Sequence, residues 1–266
     1  MEEHPADRGG KHPLMRMFLI GAIASAIGVA AGLAIDWFPT DATSSADSID
    51  TLYDVLVIVS VPIFVLVMTV AIYSVIRFRA RPGDKSDGAP IHGNARLEVI
   101  WVLVPTIIVS VLAAYAWIVL DDVEAKKDNE LIVDVYGQQF TWRFDYPNPG
   151  GGAKPVKRAN QLWLPKDRPV YFRIHTDDVI HSFWVPQFRL KSDAVPGLTT
   201  RVRVTPDKVG SYQVVCTELC GLGHATMRQT VRVVEQADFQ AWARRGGKTG
   251  GGAGAPAAGG QEGPQG

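Results

Sequence analysis

Hydrophobic patterning divides the chain near residue 121. Before that point, apolar residues run without a charge from Met17 to Ile35, from Val55 to Ile76 and from Ile100 to Leu120. Each run approaches or exceeds the ~20 residues that a helix needs to cross the hydrocarbon core of a bilayer. Pro62 and Pro105 fall inside the second and third runs, which membrane helices tolerate when neighbouring groups re-satisfy the backbone. After Leu120 the pattern changes to short stretches of alternating apolar and polar residues, broken by Pro, Gly and Asp. That period of two predicts strands at Leu131–Tyr136, Phe140–Tyr146, Val170–His175, Thr200–Val204, Ser211–Cys216 and Arg228–Val234. Many short strands with turn signals and no helical period read as a sandwich or barrel.

The connecting segments complete this outline. Asp121 to Asn129 is charged and turns the chain out of the bilayer, and Pro147 to Arg158, with three consecutive glycines, reads as a loose inserted loop. Phe239 and Trp242 fall on a short closing helix. From Gly246 onward Gly, Ala, Pro and Gln dominate, a composition that predicts disorder. The expected organisation is therefore a signal peptide or extra N-terminal helix (1–36), a transmembrane helix hairpin (50–121), an all-β domain (122–245) and a disordered tail (246–266).

Charge adds an orientation. The loop from Arg77 to Arg96 carries Arg77, Arg79, Arg81, Lys85 and Arg96 against Asp84 and Asp87, whereas Asp36 to Asp54 holds five aspartates and no Lys or Arg. The positive-inside rule puts the first loop in the cytoplasm and the second outside, with the β domain also outside. Arg8, Lys11 and Arg16 ahead of the first run, and the small residues of Ala30–Ala34, are signal-peptide features. The run is long for a signal core, but the balance leans towards cleavage, and either fate leaves the other two helices in the same topology. A formal net charge of zero over 266 residues gives no reason to expect nucleic acid as a partner.

The densest chemistry lies in Cys216-Thr-Glu-Leu-Cys220-Gly-Leu-Gly-His224-Ala-Thr-Met227, which holds both cysteines of the chain. Thiolate, imidazole and thioether are soft or borderline donors that suit copper far better than magnesium or calcium. His181, in Asp178-Val-Ile-His-Ser-Phe-Trp-Val-Pro, offers a further imidazole. A disulfide between cysteines four apart, or a zinc ion held with the two histidines, would also suit an extracellular domain. Zinc leaves Met227 unexplained, and a disulfide leaves both histidines unexplained. Blue-copper sites use a distant His and a terminal Cys…His…Met but a single cysteine; the second, Cys220, allows two thiolates to bridge two coppers.

The loop fills every position of C-x-E-x-C-x-x-x-H-x-x-M and resembles the copper A loop of cytochrome c oxidase subunit II. The similarity runs from about Tyr53 to Trp242. It implies two transmembrane helices followed by a cupredoxin-like Greek-key barrel, and a dinuclear copper centre bridged by Cys216 and Cys220. Its other ligands would be His181, His224, Met227 and the backbone carbonyl of Glu218. The Glu218 carboxylate would touch a magnesium or manganese ion at the contact with subunit I. Asp178 and Asp193 fall at acidic positions of family motifs, where a turn or surface carboxylate is an equal reading. Glu98 matches a glutamate at the mouth of a proton path, and is also placed as a plain interfacial carboxylate beside Trp101. The aromatic segment Gly137–Tyr146 has Phe140 where the family usually has the tryptophan that receives the electron. Trp142, two residues on, another exposed aromatic or a donor docked in a different geometry is the alternative, and both Phe140 and Trp142 also suit the core of an alternating strand. The implied activity is that of an electron-transfer subunit of a respiratory terminal oxidase in a bacterial plasma membrane. It would take electrons from cytochrome c and pass them to subunit I, which reduces oxygen and translocates protons among the other oxidase subunits. No Cys-x-x-Cys-His occurs, so the haem-bearing donor must be a separate protein.

Overall fold

The computed structural model describes residues 13–77, 79, 83 and 93–248. The basic loop that sets the orientation, apart from its ends and two of its residues, and the glycine-rich tail from residue 249 lie outside the described residues. Contacts divide the chain into two units, one formed by Met1–Trp37 with Asp50–Trp117 and the other by Phe38–Ile49 with Ile118–Gly266.

The first unit contains most of three long apolar helices, α1 (Pro13–Ala34), α2 (Ala46–Arg77) and α3 (Ala95–Glu124). All three are long and apolar enough to cross a membrane. Helix α1 approaches α2 through glycines: a Cβ on Gly28 would stand 2.7 Å from a Val61 methyl, and one on Gly32 would stand 2.7 Å from a Val57 methyl. Small residues permit this close packing where lipid supplies no hydrophobic drive between helices. The Trp37 indole N–H then donates to the Gly32 carbonyl over 2.7 Å, and its ring meets Tyr53 edge-on. At the start of α3, Asn94 Oδ1 accepts from the Arg96 and Leu97 N–H groups, the arrangement of an N-cap.

Among the described residues the second unit has ten strands: β1 (Leu131–Gln138), β2 (Thr141–Tyr146), β3 (Val156–Ala159), β4 (Leu162–Pro165), β5 (Val170–Thr176), β6 (His181–Trp184), β7 (Lys191–Ala194), β8 (Thr200–Val204), β9 (Gly210–Cys216) and β10 (Arg228–Val234). They form two sheets, ordered β3-β2-β1-β5-β8 and β4-β10-β9-β6-β7. The parallel pairs β1–β5 and β4–β10 interrupt otherwise antiparallel ladders, so the connections cross between sheets rather than running as simple hairpins. Inward positions alternate as expected: Leu131, Val133 and Val135 on β1, and Trp142, Phe144 and Tyr146 on β2, are buried. Helix α4 (Gln236–Arg244) closes the barrel by burying Phe239 and Trp242, the latter stacked on Trp163 at 5.4 Å. The outward but nearly buried Asp134 is satisfied by a bidentate Arg173 pair at 2.6 and 2.7 Å.

Two expectations need correction. The stretch from Pro147 to Arg158 is not wholly loop, because Val156–Arg158 begins edge strand β3 against β2. His181 does not sit between strands; it opens β6, paired with Ala194. Phe38–Ile49, about which the sequence made no structural expectation, is bound to the β unit. Ala42 N–H donates to Gln187 O, Ser44 N–H donates to Thr205 O, and Asp41 pairs with Lys208 at 2.7 Å, strapping the segment along the β unit. The Lys208 ammonium holds the Asp41 carboxyl below the usual carboxylate range.

Candidate metal centre

The β9–β10 connection brings the soft donors together. Cys216 ends β9 and Met227 directly precedes β10, so the ladder fixes both ends, with Cys216 N–H donating to Met227 O. Between them a short 3-10 turn, His224–Thr226, points the imidazole back into the loop. Cys216 Sγ lies 3.9 Å from Cys220 Sγ, 3.8 Å from His181 Nδ1 and 3.2 Å from the Glu218 carbonyl oxygen. Cys220 Sγ lies 3.7 Å from His224 Nδ1 and 3.8 Å from Met227 Sδ. Both cysteines are free, and their separation is far beyond a disulfide bond of about 2.05 Å. His181 and Met227 are fully buried, both cysteines nearly so, and His224 is half-buried.

The donors sort into two sides. His181 and the Glu218 carbonyl face Cys216, while His224 and Met227 face Cys220. The paired sulfurs stand between the two groups, an arrangement that could hold two soft ions sharing both thiolates. Burial pushes the Cys220 thiol up to about 11, and the adjacent Cys216 adds to that rise. A bound cation would offset both effects by stabilising the thiolates.

Hydrogen bonds orient His181. Its Nε2 sits 2.8 Å from Asp178 Oδ1, leaving Nδ1 to face the sulfurs. Burial pushes the Asp178 carboxyl up, but donation from the Gln139 N–H, His181 and the Val179 N–H outweighs it and holds the group below the usual range. Gly137 makes room for the ring. It continues the inward-facing series 131, 133, 135, and a Cβ there would stand 2.9 Å from His181 Cδ2.

The remaining sequence-predicted residues fall as follows. Glu218 turns its carboxylate to the exterior while its carbonyl faces Cys216. Phe140 is 38% exposed and its ring lies over the loop, where a Cβ on Gly223 would come within 2.5 Å of it. Trp142 is 1% exposed and meets His181 and Phe183 edge-on at 5.9 and 5.6 Å, so it is a core residue behind the site. Glu98 is exposed in the first turn of α3 and accepts from the Asn94 N–H at 3.2 Å. Asp193 is exposed on β7. Sequence reasoning missed Gly137 and Gln139. The only signal for Gly137 is a glycine at an inward strand position, and Gln139 carries none.

Comparison with known proteins gives a consistent picture. Residues 29–119 match the transmembrane domain of cytochrome c oxidase subunit II and residues 149–234 match the periplasmic domain of the same subunit. Cytochrome c oxidase subunit 2 of Synechocystis is 30% identical, over 84% of this chain and 80% of the relative. The subunit 2 of Thermostichus vulcanus is 33% identical, over 78% and 77%. Among solved structures, the periplasmic domain of subunit II of the Bradyrhizobium japonicum cytochrome oxidase is 29% identical, covers 46% of this chain and 95% of its own length, and has a TM-score of 0.40.

Proposed function

This chain belongs to the cytochrome c oxidase subunit II family, and we propose that it carries electrons from a cytochrome c donor to the haem-bearing subunit I of its oxidase through a dinuclear copper A centre. It is subunit II of a terminal oxidase, a membrane protein whose β domain lies on the outer side; the plasma membrane of a bacterium is the proposed location. The observation that carries the copper reading is the two-sided convergence of Cys216, Cys220, His181, His224, Met227 and the Glu218 carbonyl on one buried point. Copper bound there would supply one-electron redox chemistry.

The chain's own residues serve that chemistry by resisting movement. His181 and the ends of the cysteine loop are fixed by β-ladders, Met227 is fully buried, and Asp178 fixes the His181 ring. Donors held in place keep reorganisation small when charge changes. The outward Glu218 carboxylate is free to reach a magnesium or manganese ion at the contact with subunit I. Glu98 is proposed as the mouth of a proton path, its exposure at the start of α3 supporting that role.

Phe140 is the surface point at which the electron arrives. It is the aromatic that is both exposed and packed on the copper loop, whereas Trp142 is buried behind His181. Phe140→Leu is expected to slow reduction by cytochrome c roughly tenfold or more while leaving the copper EPR spectrum unchanged. Stopped-flow reduction of the assembled oxidase checks this, and wild-type rates would remove Phe140 from the path.

The test of the whole reading is metal analysis with EPR on the copper-loaded full chain in detergent. Two coppers sharing one delocalised unpaired electron are expected. A single copper with a localised signal, or zinc in its place, would overturn the assignment.

A further inference from the structure

We propose that Gln139 is the positioning residue that locks the two halves of the metal centre to each other. The inference rests on the copper reading above. The donors come from separate parts of the fold: His181 from β6 and the remainder from the β9–β10 connection. At the Cys216 end, ordinary strand pairing joins these parts, since Phe183 faces Cys216 and the Thr217 N–H donates to Ser182 O at 3.1 Å. The Cys220 end lies past the ladder.

Gln139 reaches that end from a third element, the turn between β1 and β2. Its side-chain amide donates to the Cys220 carbonyl oxygen over 2.6 Å. Its backbone N–H donates to Asp178 Oδ2 over 2.8 Å, and Asp178 Oδ1 holds His181 Nε2 over 2.8 Å. One residue thus bonds the peptide of the second cysteine and the carboxylate that aims the first histidine. The Asp178 end is over-determined, because Oδ1 also accepts from the Val179 N–H at 2.6 Å. A carboxylate fixed at both oxygens is a firm post from which to hold a loop.

The loop is shaped to receive the amide. Gly221 has φ 135°, a conformation that side-chain-bearing residues rarely adopt, and a Cβ there would stand 2.9 Å from Gln139 Nε2. The glycine therefore serves both the backbone turn and the close approach of Gln139. The Cys220 sulfur faces His224 and Met227 at 3.7 and 3.8 Å. Met227 is held to Cys216 by the ladder, so moving the Cys220 peptide would shift the second sulfur out of register with Cys216, His224 and Met227. Gln139 touches no donor atom; it acts through Cys220 and Asp178.

The test uses the full chain in detergent, loaded with copper. Gln139→Leu removes the amide donor but keeps the backbone bond to Asp178, and Gln139→Asn keeps the amide but is one methylene too short to reach. Both are expected to bind copper with a shifted midpoint potential and altered EPR hyperfine structure. Both should lose copper to a chelator about tenfold faster than wild type, the lower end for residues that support metal ligands. Gln138→Leu, on the adjacent outward position, should match wild type in all three. A general loss of stability would not shift the potential of the copper that remains bound, so that readout separates positioning from bulk folding. Wild-type potential and copper-loss rates in both Gln139 variants would overturn the proposal. Failure of the wild-type chain to form a dinuclear centre would instead overturn the copper reading. Hydrogen exchange of the metal-free chain then decides the clamp alone: about tenfold faster exchange at residues 220–223 in Gln139→Leu supports it, and unchanged exchange overturns it.

Discussion

One methyl group at residue 137 is expected to weaken copper binding by roughly one to two orders of magnitude. Gly137→Ala would place a Cβ 2.9 Å from His181 Cδ2, 3.2 Å from His181 Cγ and 3.2 Å from Trp142 Cζ3. Neither ring can retreat. His181 is fully buried and tied to Asp178, while Trp142 is wedged between His181 and Phe183. Overpacking of this kind costs about 1–3 kcal/mol. Strain taken up by turning the imidazole would weaken copper binding by roughly tenfold to a hundredfold. Chelator competition against the full-length chain, followed through the copper EPR signal, measures that loss. Thermal unfolding of the metal-free variant shows how much strain the barrel absorbs instead. Wild-type copper affinity in Gly137→Ala would mean that the ring does not stand where the structure has it.

That residue also marks the limit of what the sequence discloses. The apolar runs, the period-two strands and the Cys216–Met227 spacing are local patterns, and each was legible because neighbours in the chain carry its physics. The proposed copper loop is local for the same reason: five of its proposed donors lie within twelve consecutive residues, and only His181 comes from elsewhere. Gly137 and Gln139 act on partners far along the chain, so nothing beside them signals the role. The strap of Phe38–Ile49 was hidden likewise, because its hydrogen bonds go to Gln187, Thr205 and Asp207. Strands β3, β4, β6 and β7 are only four residues each, too short for alternation to stand out. Phe140 and Trp142 had the same two readings from sequence, core or electron acceptor. Burial separates them, with Trp142 inward on β2 and Phe140 at the turn before it.

Cys220→Ser should convert a two-copper site into a one-copper site. Serine keeps the shape of cysteine but replaces a soft sulfur with a hard oxygen that copper disfavours. On the Cys216 side, His181 at 3.8 Å and the Glu218 carbonyl at 3.2 Å would remain with their sulfur. On the other side, His224 and Met227 would lose the sulfur that each now faces. Copper per full-length chain should therefore fall from two to one, and the EPR signal should change from a delocalised pattern to the hyperfine of a single nucleus. Cys216→Ser is the mirror experiment: it leaves His224 and Met227 with Cys220 and removes the sulfur from His181. Both single variants should hold one copper, but with different spectra, because Met227 is a neighbour of the remaining sulfur in only one of them. Identical spectra would contradict the two-sided division of donors. A delocalised signal with two coppers in either variant would show that the thiolates do not bridge. The assembled oxidase carrying Cys220→Ser should also stop accepting electrons from cytochrome c, because the half of the site nearest the Phe140-covered loop would no longer hold a redox ion.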